Sequence, residues 1–350
     1  MELNEILKAA VKHGASDVHI VPSRPPHFRI NGKLRGLNSD PIGPDDVEKL
    51  LFGSLRPELV ERFHRDGELD SSYVVDDVRF RLNILKQNDG YGAVFRVITT
   101  EIPTPESLGL EEVILNLTKL PRGIVLVTGP TGSGKSTTLA SMLNIINEER
   151  REHILTIEDP IEYIYPKKNC VVTQREIGTH STSFKESLRR AMRQDPDVIL
   201  VGEMRDLETI SAALTLAETG HLVFSTLHTT DAAQTVDRII DVFPPHQQQQ
   251  VRTQLSGTLK AVISQQLLPR ADGAGRIAAR EILIANAAIG NLIREGKTHQ
   301  IYSAIEVGGK LGMRTLDKDL KRMVQEGLVT VDAAIAKASS PDAITGGVRR

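Results

Sequence analysis

Residues 129–136 read Gly-Pro-Thr-Gly-Ser-Gly-Lys-Ser, with an apolar run at 124–128 before them and a helical pattern after them. Gly129, Gly132 and Gly134 let the backbone turn tightly enough for successive N–H groups to face one centre. The helix that opens behind them adds its positive pole to the same place. The string fits G-x-x-x-x-G-K-[ST], a loop that works only when a strand feeds it and a helix leaves it. A glycine-rich turn without a ligand is the other reading, and agreement at all eight positions and both flanks argues against it. The candidate nucleotide-binding residues are therefore Gly129, Pro130, Thr131, Gly132, Ser133, Gly134, Lys135, Ser136 and Thr137. Lys135 is placed to reach the β and γ phosphates of ATP, and the Ser136 hydroxyl to ligate Mg²⁺.

The surrounding chain agrees with such a loop. Unbroken apolar runs at 124–128, 154–157, 198–201 and 222–226 alternate with helical patterns. Strands buried on both faces imply a largely parallel sheet, so this part is expected to be α/β. From Pro245 onward the pattern reads as mainly helical, through 247–268 and 316–326. The first hundred residues differ and read as α+β. Helical spacing covers 3–13 and most of 47–63, a strand begins at Asp17, and Asn31-Gly32 marks a hairpin. Residues 78–83 alternate as a half-buried strand, with 93–98 as the expected partner. Ile102-Pro103-Thr104-Pro105 then stops regular structure. The expected division is an N-terminal domain at 1–100, a linker at 101–106, a second domain at 107–338 and a frayed tail at 339–350.

Bulk properties narrow the partners. With 350 residues, 40% hydrophobic and 25% charged, the chain can bury two cores. A formal charge of −2 gives no excess of base for a phosphate backbone, so no nucleic acid partner is expected. Cys170 is the only cysteine, which excludes an intrachain disulfide and a Cys-rich zinc site. Met1-Glu2-Leu3-Asn4-Glu5 lacks the features of a signal peptide, and no run approaches the ~20 apolar residues that span a bilayer. The expectation is a cytoplasmic protein.

Three further stretches carry chemistry. The run at 198–201 ends in Gly202-Glu203, which puts a carboxylate where a magnesium-holding acid is needed beside a phosphate loop. Glu158, Asp159 and Glu162 follow another apolar strand. They read either as acids that orient or deprotonate an attacking water, or as an acidic turn. His221 and His228 bracket the run at 222–226. They read as structural histidines closing a buried strand or, for His228 at the carboxyl end, as a group that senses nucleotide.

In this order the four stretches resemble the secretion-type, RecA-like motor ATPases, and within them the PilT-like type IV pilus retraction ATPases. The likeness extends to GASDVH at 14–19, RFRLN at 79–83, VFR at 94–96, VGEMRDLETI at 201–210, AETGHLVF at 217–224 and GMRTLD at 312–317. It covers roughly residues 1–330. It implies a PAS-like N-terminal domain, a RecA-like core with C-terminal helices, and a homohexameric ring with nucleotide between the two domains of one chain. It also implies an inner-membrane platform protein as partner, other pilus motor ATPases as further partners, and peripheral association with the inner membrane through the pilus machine. By the same likeness Glu203 helps to hold Mg²⁺ through water, and Glu162 is the catalytic base. Glu158, Asp159 and His221 support them, His228 joins the site, and Arg81 and Arg96 act on the phosphates from the moving N-terminal domain. One departure stands out: the family's AIRNLIRE reads AIGNLIRE at 288–295, with Gly290 in place of arginine. That bears on coupling in the cell rather than on hydrolysis.

Other readings make different demands. Pilus-assembly and type II secretion motors usually carry a longer N-terminal region and often a four-cysteine module, which one cysteine does not supply. An accessory retraction paralogue is disfavoured by Gly202-Glu203-Met204-Arg205-Asp206 and Thr229-Thr230. A non-hydrolysing nucleotide-binding regulator would not need Lys135, Ser136, Glu162 and Glu203 together, and a DNA translocase would bind DNA in a salt-dependent way. For the arginines, Arg96→Ala is expected to leave nucleotide binding nearly intact and to cut turnover at least about tenfold, since arginines of this kind contribute roughly 10³–10⁵ in rate. Unchanged turnover in a phosphate-release assay removes Arg96 from that role.

Overall fold

The computed structural model describes residues 2–30, 32–76, 78–98 and 101–345. The chain forms two compact units, Met1–Glu101 with Glu162–Ile164, and Ile102–Ile161 with Tyr165–Arg350.

The first unit is built on six antiparallel strands: β1 (Asp17–Ile20), β2 (His27–Ile30), β3 (Lys33–Gly36), β4 (Glu68–Val75), β5 (Val78–Gln87) and β6 (Gly90–Ile98). Their order is β3-β2-β1-β6-β5-β4. Period-two alternation sends Val18, Ile20, Phe28, Phe80, Leu82, Ile84 and Phe95 to one face. There they pack with Leu3, Ile6 and Leu7 of the helix Leu3–Lys12, Val47 and Leu51 of Pro44–Phe52, and Phe63 of Pro57–Asp66. The opposite face is polar. Register places Arg29 across from Asp17, Asp17 across from Arg96, and Arg96 across from Arg81. The expected pairing of 78–83 with 93–98 is the β5–β6 ladder. Asn31 of the expected hairpin lies outside the described residues, and the strands on either side of it pair antiparallel.

The second unit holds seven strands: β7 (Gly123–Thr128), β8 (His153–Glu158), β9 (Val171–Glu176), β10 (Val198–Val201), β11 (Leu222–Leu227), β12 (Leu259–Pro269) and β13 (Arg276–Ile284). They are ordered β13-β12-β7-β11-β10-β8-β9, and every pair except β12–β13 is parallel. All residues of β7, β10 and β11 are buried, as a sheet covered on both faces requires.

Two sequence expectations need correction here. Residues 247–268 were expected to be helical throughout, yet the helix Pro245–Thr258 passes directly into β12, which pairs with β7 and β13. An interior strand shows no alternation, so an apolar run reads alike for helix and strand, and no turn residue separates the two elements. The tail was expected to fray from Ser339. Instead the Ser339 and Ser340 N–H groups donate to the Asp317 carboxylate at 2.8 and 2.9 Å, and Pro341–Thr345 is helical. Residues 346–350 of that expected tail lie outside the described residues.

Glu281 on β13 is buried and accepts the N–H of Ala232 at 2.9 Å, at the start of the helix Ala232–Asp241. Burial pushes its carboxyl up to about 7, with the charges of Asp231 and Asp317 adding and the Ala232 and Leu316 N–H groups opposing. The folded chain therefore holds a proton there that the unfolded chain has released. Stability contributed by this group falls as pH climbs from the ordinary glutamate range through about 7. Glu281→Gln is expected to melt higher than the wild type at pH 8, with the gap closing toward pH 5. A gap that does not change with pH contradicts this account.

Candidate functional site

Because β7, β11, β10 and β8 are parallel neighbours, their carboxyl ends share one edge of the sheet. The phosphate-loop string follows β7, His228 follows β11, Gly202-Glu203 follows β10, and Glu158 closes β8. Backbone and hydroxyl bonds fix that edge. The Gly202 N–H donates to Ile157 O at 2.8 Å, the Met204 N–H to Thr226 O at 3.1 Å, and Thr226 Oγ1 to Gly202 O at 2.7 Å.

The loop needs its glycines. Gly129, Gly132 and Gly134 have φ of 139°, 77° and 85°, a region that side chains rarely enter. A Cβ on Gly129 would stand 2.2 Å from the Gln265 carbonyl oxygen. Gly134 precedes the helix Lys135–Glu149. Lys135 is buried, and its ammonium donates to Gly129 O at 2.8 Å and Pro130 O at 3.2 Å. Pro130, Thr131 and Gly132 form an exposed rim, Ser133 is buried, and Ser136 and Thr137 in the first helical turn are half-buried.

Glu203 is gripped on both oxygens. Oε1 lies 2.8 Å from His228 Nε2, and Oε2 accepts from Arg205 Nη2 at 2.6 Å. Burial works against its ionisation, but the Arg205 hydrogen bond and the charges of His228 and Arg205 outweigh that and hold the carboxyl below the ordinary range. Glu203 is thus a fixed carboxylate at the loop's edge. Glu158 is buried and accepts from Thr156 Oγ1 at 2.6 Å. Asp159 is exposed, and its charge adds to that of Glu203 in raising the Arg205 guanidinium.

The structure separates some residues that the sequence grouped. His221 was expected to support the site, but it sits at the amino end of β11, on the edge away from the loop. There its Nδ1 lies 2.9 Å from Leu216 O and 3.2 Å from Thr219 Oγ1, closing the end of the helix Leu207–Glu218. Arg81, Arg96 and Glu162 fall in the first unit. Arg96 Nε donates to Asp17 Oδ1 at 2.8 Å, and Arg29 stands 3.6 Å from the same carboxyl. Burial opposes ionisation at Asp17, and Arg96 with Ser16 and Arg29 overcomes it. Arg81, directly across from Arg96, is exposed.

Sequence reasoning gave no role to Asp17, Arg205, Thr138 or Gln265. Asp17 and Arg205 lie inside strings quoted for other reasons, whereas Gln265 carries no local signal. A divalent cation beside nucleotide phosphates takes hard oxygen ligands. The Ser136 hydroxyl and the Glu203 carboxylate are donors of that kind at one sheet edge, so the residues present fit Mg²⁺.

Comparison with known proteins gives consistent matches. The model of the family described as "Type II/IV secretion system protein" matches residues 1–336. The type IV pilus retractation ATPase PilT of Pseudomonas aeruginosa is 51% identical over 343 residues, covering 98% of this chain and 99% of its own. A twitching motility protein of Neisseria gonorrhoeae is 48% identical over 321 residues, covering 91% and 86%. A crystal structure of the pilus retraction motor PilT with bound ADP superposes with a TM-score of 0.92 at 44% identity, over 99% of both chains.

Proposed function

We propose for this chain, which belongs to the type II/IV secretion system protein family, the work of an ATP-hydrolysing motor that powers type IV pilus retraction. The observation that carries this is a full-length likeness to retraction ATPases in a chain whose sheet edge holds the phosphate loop, Glu203 and His228 together. A regulator that only bound nucleotide would not need Lys135, Ser136, Glu162 and Glu203 together.

The hydrolytic work divides among this chain's own groups. Backbone N–H groups of residues 131–136 and the opening of the helix Lys135–Glu149 bind the β and γ phosphates. Lys135, now seated on the Gly129 and Pro130 carbonyls, neutralises their charge. Ser136 and Glu203 would hold magnesium, which would supply further neutralisation of phosphate charge. His228 and Arg205 keep Glu203 ionised and oriented. Glu162 takes the proton of the attacking water, with Glu158 and Asp159 in support. Arg81 and Arg96 stabilise charge spread over the transferring phosphoryl oxygens when the two domains of a protomer close.

Six copies form a ring at the cytoplasmic face of the inner membrane, where successive closures turn a platform protein and withdraw pilin from the fibre base. Other pilus motor ATPases share that platform. No helix among the described residues is long and apolar enough to cross a membrane. The departure at Gly290 lies in a close helix seam. A Cβ there would stand 3.3 Å from Ser256 O, and Arg294 Nη1 reaches Ser256 Oγ at 3.1 Å. The seam packs the helix Ala287–Arg294 against Pro245–Thr258, and its consequence is for coupling.

Two measurements test the reading. Steady-state phosphate release is expected to vanish in Lys135→Ala. Cells lacking the protein are expected to carry more surface pili and to lose twitching. Bald cells mean that the motor builds pili instead, and release that survives Lys135→Ala removes the loop from the chemistry.

A further inference from the structure

β12 grips the phosphate loop at three points. Before the loop, Thr128 Oγ1 and Ser264 Oγ lie 2.7 Å apart. Within it, Gln265 Nε2 donates to Ser133 O at 2.7 Å. Behind it, Thr138 Oγ1 in the second turn of the helix donates to Gln265 Oε1 at 3.0 Å. Gln265 is 1% exposed, and its main-chain oxygen is the atom that forbids any side chain at Gly129. The two bonds also fix which way the amide faces, because a flipped amide would set an oxygen against the Ser133 carbonyl.

We propose that Gln265 is a positioning residue that holds the phosphate loop in its nucleotide-binding shape. The inference rests on the reading of residues 129–136 as the phosphate site and assigns the group that keeps them in register. In a trans peptide the carbonyl and the following N–H point in opposite directions. Holding Ser133 O toward β12 therefore aims the Gly134 N–H away from β12, toward the inside of the loop. By taking the Thr138 hydroxyl on its other end, the same amide ties that peptide to the helix whose pole faces the phosphates. Loop and helix then present their N–H groups as one rigid anion site, with no ordering left to be done when nucleotide arrives.

The measurement is a titration of the full chain with a fluorescent ADP, together with ATP turnover, for wild type, Gln265→Met and Thr138→Val. Gln265→Met keeps the side chain's reach and removes both bonds. It is expected to weaken ADP binding at least about tenfold, the order of one or two lost hydrogen bonds, and Thr138→Val about threefold. The loss is expected to fall on KM rather than kcat, since the amide's bonds run to the Ser133 carbonyl and the Thr138 hydroxyl, which shape the binding loop. A merely structural role would reduce the folded fraction, and with it kcat, and leave KM and the ADP affinity of the remaining molecules untouched. Wild-type affinity in a folded Gln265→Met chain overturns the inference. Should that variant fail to fold, unchanged affinity in Thr138→Val overturns it as well. A wild-type chain that takes up no nucleotide overturns the reading of the loop itself, and the inference with it.

Discussion

A strand covered on both faces can place a charge only where it ends. That constraint governs the second unit. β7, β10 and β11 are buried along their whole length, so nothing ionic sits along them, and their polar chemistry collects where the strands stop. Parallel order then decides which ends meet. With β7, β11, β10 and β8 side by side, one edge gathers a glycine loop, a histidine and two glutamates from segments up to about a hundred residues apart in sequence. The helices contribute by burying the faces, which is what makes the edge rigid.

Rigidity alone would not make the edge useful, because burial also penalises the charges gathered there. The structure answers with pairing. Glu203 would be pushed toward its neutral form by burial, and Arg205 with His228 reverses that. Lys135 rests on two main-chain carbonyls. The first unit uses the same device in another setting, where Asp17 stays ionised between Arg96 and Arg29. Glu281 is the contrast. It sits against two helix starts with two other acids near it, and its carboxyl rises to about 7. A buried acid is kept charged by a cation at contact distance, and backbone N–H groups alone do not suffice here.

What could be read from the sequence follows from how local each signal is. The phosphate loop, the apolar runs of β7, β8, β10 and β11, and the acid after β10 are each written in fewer than ten consecutive residues, and all lie where they were expected. The alternation of β5 and β6 was equally local. β12 was missed because it lies between β13 and β7, and an interior strand has no polar face to give its period away. β13, at the sheet edge, has five consecutive buried residues and so shows no alternation either. Gln265 was missed for a different reason: its partners Ser133 and Thr138 stand more than a hundred residues away in the chain. His221 was grouped with the site by resemblance, yet it precedes β11 while His228 follows it, and an extended strand between them spans roughly 20 Å and carries them to opposite edges.

The central claim is that this edge of the sheet receives the phosphates of ATP with Glu203 serving the metal. A crystal structure of the full chain with magnesium and a non-hydrolysable ATP analogue tests it most directly. The account predicts that the γ phosphate draws Lys135 off the Gly129 and Pro130 carbonyls, that Ser136 Oγ binds the metal, and that one water links the metal to Glu203. Nucleotide bound away from residues 129–136, or a metal with no path to Glu203, contradicts it.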